Sequence, residues 1–412
     1  MIYKLILLML FFNVVIFAQD SYLNLAQSTY LIYEGKNLSS VLDPENIYIT
    51  ADNYTFNNFI NMSSQTVISN LLCRGSFQLN YNELNKTKYD FTLKEAYLSY
   101  DLSGSLQLLA GRKIINWGVD YYMRPSAILD PQKNISDINN QQSKFIGSDI
   151  VEMDYYAGDL LFRGVYKNSF NHFDLKQSEY VGNINFLLKG WAVNLIGSDD
   201  KASGWKGGFN FTKVISDQME IHGEYINEKN LINYGLGDEI ASENPPDRIN
   251  RFTLGFLLSM DIANRDVRLI CEYNYNQGGL TKSRWNTYKA YINKALIDMQ
   301  NPSAAVRQSA MLNYKLATAS YNIQDFGISS LICIIDNLPP LFNFIYYQPI
   351  VLFDPSDMGT ISILNILAKA SSSVDFFFNT NYYGGSKNSL YFNIPYKFQL
   401  QFGISTSLDL LD

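Results

Sequence analysis

The sequence predicts an all-β protein: a transmembrane antiparallel β-barrel of about sixteen strands, within fourteen to eighteen, carrying a partly helical long loop. Three observations point there. Apolar and polar residues alternate with period two in segments of about ten residues, the length a tilted membrane strand needs. Charged residues make up 17% of the chain, against about 25% in an ordinary soluble domain, while aromatics reach 15% with 30 Tyr and 26 Phe. Past the N-terminus, no stretch approaches the roughly 20 apolar residues of a membrane helix, and the most apolar window, Ile328 to Ile335, is far too short. A chain that must satisfy its backbone in lipid without helices has to close a barrel.

Residues 1–18 read as a secretory signal peptide. Lys4 supplies the positive start, Leu5 to Phe17 the apolar region, and Ala18 a small residue for cleavage before Gln19. Residues 19–65 are an N-terminal segment, either first strands (around Tyr30-Leu31-Ile32-Tyr33 and Ile47-Tyr48-Ile49) or a periplasmic extension. The barrel itself is expected from 66 to 412. There Cys73, Gly75, Phe77 and Leu79 oppose Arg74, Ser76 and Gln78; Val151, Met153 and Tyr155 oppose Glu152 and Asp154; Phe162 and Tyr166 oppose Arg163 and Lys167. The same rhythm recurs near 184–195, 209–212, 219–225, 252–260, 267–275, 374–382 and 398–404. Noisier runs lie near 91–100, 106–117, 312–321, 326–334 and 360–369. A soluble sandwich would carry more charge on its outer face; here the second face is mostly Asn, Ser, Thr and Gln.

Two connections stand apart. Lys229 to Ile249 is a long polar loop with Asn244-Pro245-Pro246. Gln277 to Met311 is longer, and Tyr288, Tyr291, Ile292, Ala295, Leu296 and Met299 recur at helical spacing, giving one amphipathic face. Asn301 is placed to cap a second short helix that starts at Pro302. This loop is either a folded surface element or, over 286–311, a constriction inside the lumen.

Function classes fall away by composition. Cys73, Cys271 and Cys333 are an odd, widely spaced set that gives no disulfide framework or metal pattern, and small-hydrophobe use suits them. With only His172 and His222, no metal site and no cofactor are expected, and His222 between Glu220 and Glu224 reads as a satisfied polar neighbour. The net charge of −7 excludes a general nucleic-acid role. No phosphate-cradling glycine loop or nucleophile–base pattern is present, so an enzyme is not expected and catalytic residues are none.

The polar faces name the lumen and selectivity candidates: Arg74, Arg112, Lys113, Arg124, Glu152, Asp154, Arg163, Lys167, Glu220, His222, Glu224, Arg268, Glu272 and Asp375. Trp117, Trp191, Tyr225, Tyr275 and Tyr382 are candidates for the aromatic girdle at the lipid interface. Leu106, Leu108 and Ala110 sit in one register and Ile115 and Trp117 in the other, so a bulge near Gly111 is expected to bring both sets to lipid.

The stretch Leu93-Lys94-Glu95-Ala96-Tyr97-Leu98, Gly111-Arg112-Lys113, Asn116-Trp117-Gly118, Arg124-Pro125 and Leu129-Asp130-Pro131 resembles bacterial outer-membrane porin-type barrels of the alginate-export-like group. Two departures stand out: Lys113 replaces the usual Gln, and the chain ends Leu410-Leu411-Asp412 without a terminal aromatic. The resemblance implies a bacterial outer-membrane channel for small polar or anionic solutes, sugars included. Its partners would be outer-membrane lipid, those solutes and the barrel-assembly machinery, with a homo-oligomer open. The alternatives are a non-conducting barrel that binds surface polysaccharide or helps export and assemble it, and a soluble secreted carbohydrate-binding β-protein.

Overall fold

A computed structural model describes residues 20–40, 42, 54–82, 89–129, 145–168, 178–201, 203–229, 247–320 and 327–411. The leader, His172 and most of the 229–249 loop lie outside these residues. Among the described residues, eighteen antiparallel strands form one sheet that closes on itself, because β1 pairs with both β2 and β18. In order they are β1 Asp20–Lys36, β2 Tyr54–Ile68, β3 Leu71–Asn82, β4 Tyr89–Ser103, β5 Leu106–Lys113 and β6 Ser148–Ala157. Then follow β7 Leu160–Lys167, β8 Glu179–Leu188, β9 Trp191–Asp200, β10 Gly204–Ser216, β11 Met219–Lys229 and β12 Arg248–Asp261. The last six are β13 Asp266–Asn276, β14 Ser329–Asp336, β15 Ile345–Asp354, β16 Gly359–Lys369, β17 Val374–Gly385 and β18 Tyr396–Leu411.

The count is eighteen rather than about sixteen, and the difference has specific sources. The segment 19–65 supplies β1 and most of β2, whose inward Tyr30, Ile32 and Phe59 pack together and blur the alternation, while Ile47-Tyr48-Ile49 lies outside the described residues. β15 escaped notice because its run Ile350-Val351-Leu352-Phe353 is apolar on both faces, its inward polar residues Gln348 and Asp354 lying on either side of that run. In the other direction, the run 312–321 is not a strand. Its described residues, 312–320, lie in α2 (Ala304–Ser320), which follows α1 (Lys282–Asp298) in the connection between β13 and β14. Thr281 caps α1 by accepting from Arg284 N. Asn301 accepts from Ser303 N instead of capping at Pro302, so α2 starts later and runs longer than its sequence signal.

Tight turns such as Lys189-Gly190, both at positive φ (50° and 81°), join strands at one end; the long connections sit at the other. In outer-membrane barrels the short turns are periplasmic and the long loops extracellular. Along the strands the outward register is greasy and exposed, as at Leu98, Met153, Phe162, Leu195, Leu254 and Phe402. The inward register holds buried Glu152, Asn183, Asn194, Glu272, Asn274 and Gln401. An apolar wall around a closed barrel rules out the soluble alternative, whose greasy face would have to be inside. Cys271 and Cys333 correct a further expectation: they stand opposite each other on β13 and β14 and form a disulfide, while Cys73 is a buried free thiol. Their separation of 62 residues hid the pairing, which strand register alone creates.

Candidate functional site

The site is the segment that leaves β5 and crosses the lumen. Gly111 takes φ +134°, and a Cβ there would fall on the Ala96 carbonyl oxygen, so only glycine fits this close approach. The expected bulge is not at Gly111, whose pairings run on without a shift; it lies at Lys94, between the pairs Ser76–Glu95 and Phe77–Leu93. That bulge re-aims Glu95 inward, where it accepts from Ile114 N (3.0 Å) and meets Arg74 (3.2 Å). The chain therefore turns inward after Lys113 instead of continuing as strand. Ile115 and Leu129, with Trp117 beside them, then seat on an apolar patch of the inner wall made by Leu109, Ile150, Val165, Val181 and Ile196.

From there the segment runs on to the adjoining wall of β10, β11 and β13 and is held by backbone hydrogen bonds to two carboxylates. Glu224 Oε1 accepts from Val119 N (2.6 Å) and Asp120 N (3.1 Å), and its Oε2 accepts from Ser126 N (2.9 Å) and Ser126 Oγ (2.8 Å). Glu272 accepts from Tyr121 N (2.6 Å) and Tyr122 N (3.0 Å). Asn210 Nδ2 donates to Trp117 O (3.0 Å) and Ser126 Oγ (2.9 Å). A loop buried in a lumen needs partners for its N–H groups, and an ionised carboxylate supplies the strongest acceptors. Arg124 donates from Nε to Asp120 O (2.7 Å), closing the turn on itself. The side chain of Asp120 points into the wall beside His222 and is fully buried. Burial, reinforced by the charges of Glu224 and Glu272, pushes its carboxyl up to about 10, with Arg124 opposing.

Most sequence-predicted lumen residues lie in the inward register, but their roles divide. Glu224 and Glu272 anchor the loop rather than face the passage. Lys113 and Arg163 share Glu152 (3.3 and 3.2 Å), and Arg163 is bidentate on Asp154 (2.8 and 2.9 Å). Lys167 pairs with Glu179 (3.1 Å), and Arg268 with Asp336. Asp375 faces inward near the periplasmic end, opposite Lys369. Glu220 lies beside His222 Nδ1 (3.8 Å). Arg112 departs from the expectation: it falls in the register of Leu108 and Ala110 and is bidentate on Asp149 (2.6 and 2.8 Å). Trp117 departs further, since it sits inside the barrel under the Arg163 guanidinium (5.4 Å) and not at a rim. Its position follows from β5 ending at Lys113, so the strand never carries it to lipid. Trp191, Tyr225, Tyr275 and Tyr382 do stand in the outward register near strand ends, Trp191 beneath Lys213 (4.8 Å).

Sequence reasoning passed over Asp120, Asn210, Lys206, Glu228 and Arg251. The last three, with Arg124, Met123, Ile128 and Thr253, line a cavity of about 100 Å³ beside the loop. Arg251 pairs there with Glu228 (3.1 Å), and Lys206 with Glu179 (3.7 Å). The helical hairpin packs on the other side of the loop: Trp285, Tyr288 and Ile292 share one apolar cluster with Tyr122 and with Ile270, Ile332 and Ile350 of the inner wall, while Trp285 Nε1 donates to Asn388 O (2.6 Å) and Tyr314 OH to Leu42 O.

The architecture, a closed antiparallel barrel with a greasy exterior and one connection folded across its lumen, is that of an outer-membrane porin-type β-barrel. Among solved structures it is similar to OprD of Pseudomonas aeruginosa, at 9% identity and TM-score 0.53 over 96% of this chain and 97% of that one. It is also similar to OccK9 (OpdG) of Pseudomonas aeruginosa (8%, TM-score 0.57, 96% and 100%) and to OccAB3 of Acinetobacter baumannii (9%, TM-score 0.54, 95% and 100%). At such identities the likeness is one of fold. No family model and no curated protein matches the sequence.

Proposed function

We propose that the protein is a bacterial outer-membrane channel for passive diffusion of small polar solutes, with residues 114–129 as its constriction and a preference for anions. The observation that carries the reading is how the charges divide at the loop. The carboxylates of Glu224, Glu272 and Asp120 are buried beneath it, whereas Arg124, Lys206 and Arg251 line the open cavity beside it against the single carboxylate of Glu228. A solute passing the loop therefore meets a basic surface, and rings of fixed charge set the sign of a pore's selectivity. Sugars fit the same passage through the Asn and Gln of the inner wall. In this reading residues 1–18 are a secretory leader, the aromatic side chains near the strand ends anchor the barrel in lipid, and the assembly machinery inserts it. The chain carries no catalytic role.

Single-channel recording of the refolded protein in a planar bilayer tests this. Discrete steps, with a reversal potential of anionic sign under a salt gradient, are expected, and Arg251→Gln should move that potential toward zero. Cation preference would overturn the sign. An inserted barrel that never conducts would overturn the channel itself.

A further inference from the structure

Three ionisable side chains from separate parts of the chain meet beneath the crossing loop: Asp120 from the loop, His222 from β11 and Glu272 from β13. All three are fully buried, and one ligand atom of each lies within 4.8 Å of the others. His222 Nε2 stands 3.1 Å from Glu272 Oε1 and 3.7 Å from Asp120 Oδ1. Donors around a tetrahedral zinc at about 2.0–2.1 Å are separated by about 3.3 Å, so an ion entering here would replace the His222–Glu272 hydrogen bond and draw Asp120 in by a few tenths of an ångström.

Hydrogen bonding leaves a gap that an ion fills. Glu224 next door is saturated by four donors, and Glu272 accepts from two backbone N–H groups. Asp120 differs: neither of its oxygens accepts a hydrogen bond, although the side chain is wholly enclosed and aimed at His222 and Glu272. A buried carboxyl in that state either keeps its proton or is completed by a cation, and the imidazole and second carboxylate aimed at it make a cation's donor set. Two neighbouring features serve such a site. Gly255 lies over it, and a Cβ there would fall on His222 Nε2. On the far side of the imidazole, Nδ1 makes no hydrogen bond among the described residues; Glu220 Oε1, at 3.8 Å, is the carboxylate that a small side-chain shift would bring to it, as commonly orients a metal-bound histidine.

We propose that Asp120, His222 and Glu272 bind a divalent transition-metal ion of the zinc class, which locks the crossing loop to the wall formed by β11 and β13. One imidazole and two carboxylates suit zinc or manganese; calcium and magnesium call for more oxygens, and copper(I) for sulfur. The ion is a structural bolt, and this inference stands whether or not the barrel conducts.

The full-length protein, refolded in detergent, stripped with a chelator and dialysed against micromolar zinc chloride, provides the test. Metal emission should report one zinc per chain surviving a buffer wash. Asp120→Asn and His222→Gln should each retain at least about tenfold less, while Glu220→Gln should bind with about ten- to hundredfold weaker affinity. Lys167→Gln, remote from the cluster, should bind like the wild type. Heat-modifiable gel migration checks that each variant is folded. Wild-type protein that holds only traces of zinc, or folded Asp120→Asn and His222→Gln that hold as much as wild type, would overturn the site. Because wild-type stoichiometry is decisive alone, the proposal is testable even if a variant does not fold.

Discussion

On the wall from β6 to β11 the inward register carries Glu152, Asp154, Arg163, Lys167, Glu179 and Glu224; from β13 to β17 it carries Ile270, Ile332, Ile334, Ile350, Leu352 and Ile363. The first set is charged: Arg163 pairs with Glu152 and Asp154, and Lys167 with Glu179, while Glu224 holds the loop. The second joins one apolar cluster with Tyr122, Leu390, Tyr391 and Ile394, and with Trp285, Tyr288 and Ile292 of α1. The lumen thus carries its ion pairs on one flank, around the apolar patch that seats Ile115 and Leu129, and is filled by packed side chains and inward-folded loops on the other. In the channel proposed above, the charged flank borders the passage and the apolar one gives mechanical support, with the loop 114–129 strung between them. Its Ile115 end rests on greasy wall, its middle hangs from Glu224 and Glu272, and Tyr122 enters the apolar cluster.

Two substitutions separate the flanks. The larger effect is expected from Glu224→Ala. It removes the acceptor for three backbone N–H groups and a hydroxyl, and each buried donor left unpaired costs about 1–3 kcal/mol. The loop should lift from the wall, and single-channel recordings should show higher conductance with more open-state noise. Unchanged conductance would mean that the loop does not set the narrowest point. Ile332→Ala should behave in the opposite way. The side chain is fully buried, so truncation should cost about 2–5 kcal/mol in denaturant unfolding, with conductance as in wild type. A conductance change without lost stability would place Ile332 on the passage and erase the contrast between the flanks.

The same contrast explains what the sequence discloses. Where one face meets lipid and the other water, alternation is clean, as at Val151–Tyr155 against Glu152 and Asp154, and those strands and their inward charges are readable residue by residue. Where the inner face is packed against a loop, both faces turn apolar; β15 vanishes from the pattern. The α2 segment reads as a strand because Leu312, Tyr314 and Leu316 happen to alternate, while its burial is helical, with Ala310, Tyr314 and Ala317 inside. The candidate site was half legible. Glu224, Glu272 and His222 were identifiable as inward residues, but their partner Asp120 lies about a hundred residues away on a segment with no period, and only the closed barrel brings them together. Arg112 and Trp117 misled for a related reason: periodicity cannot say where a strand stops, and β5 stops at Lys113.

The smallest expected effect lies at the rim of the apolar flank. Asp357, in the turn between β15 and β16, accepts from Leu390 N (2.6 Å) and Gly359 N (2.8 Å), and so ties the β17–β18 loop to the apolar cluster. Burial, with the charge of Asp354 adding to it, pushes its carboxyl from 3.8 up to about 6, and the two N–H donors oppose the shift. A carboxyl whose folded pKa is raised binds its proton more tightly when folded than when unfolded. Its contribution therefore favours the folded state most below about pH 4 and is lost as pH rises through about 6. The group is partly open to solvent, which keeps the effect modest. Lowering the pH from 7 to 5 should raise the thermal midpoint of the wild type slightly relative to Asp357→Asn, whose amide cannot titrate. Parallel pH profiles for the two proteins would show that the turn does not sense pH. A shift that also altered conductance would couple this rim to the passage, contrary to the division of labour between the two flanks.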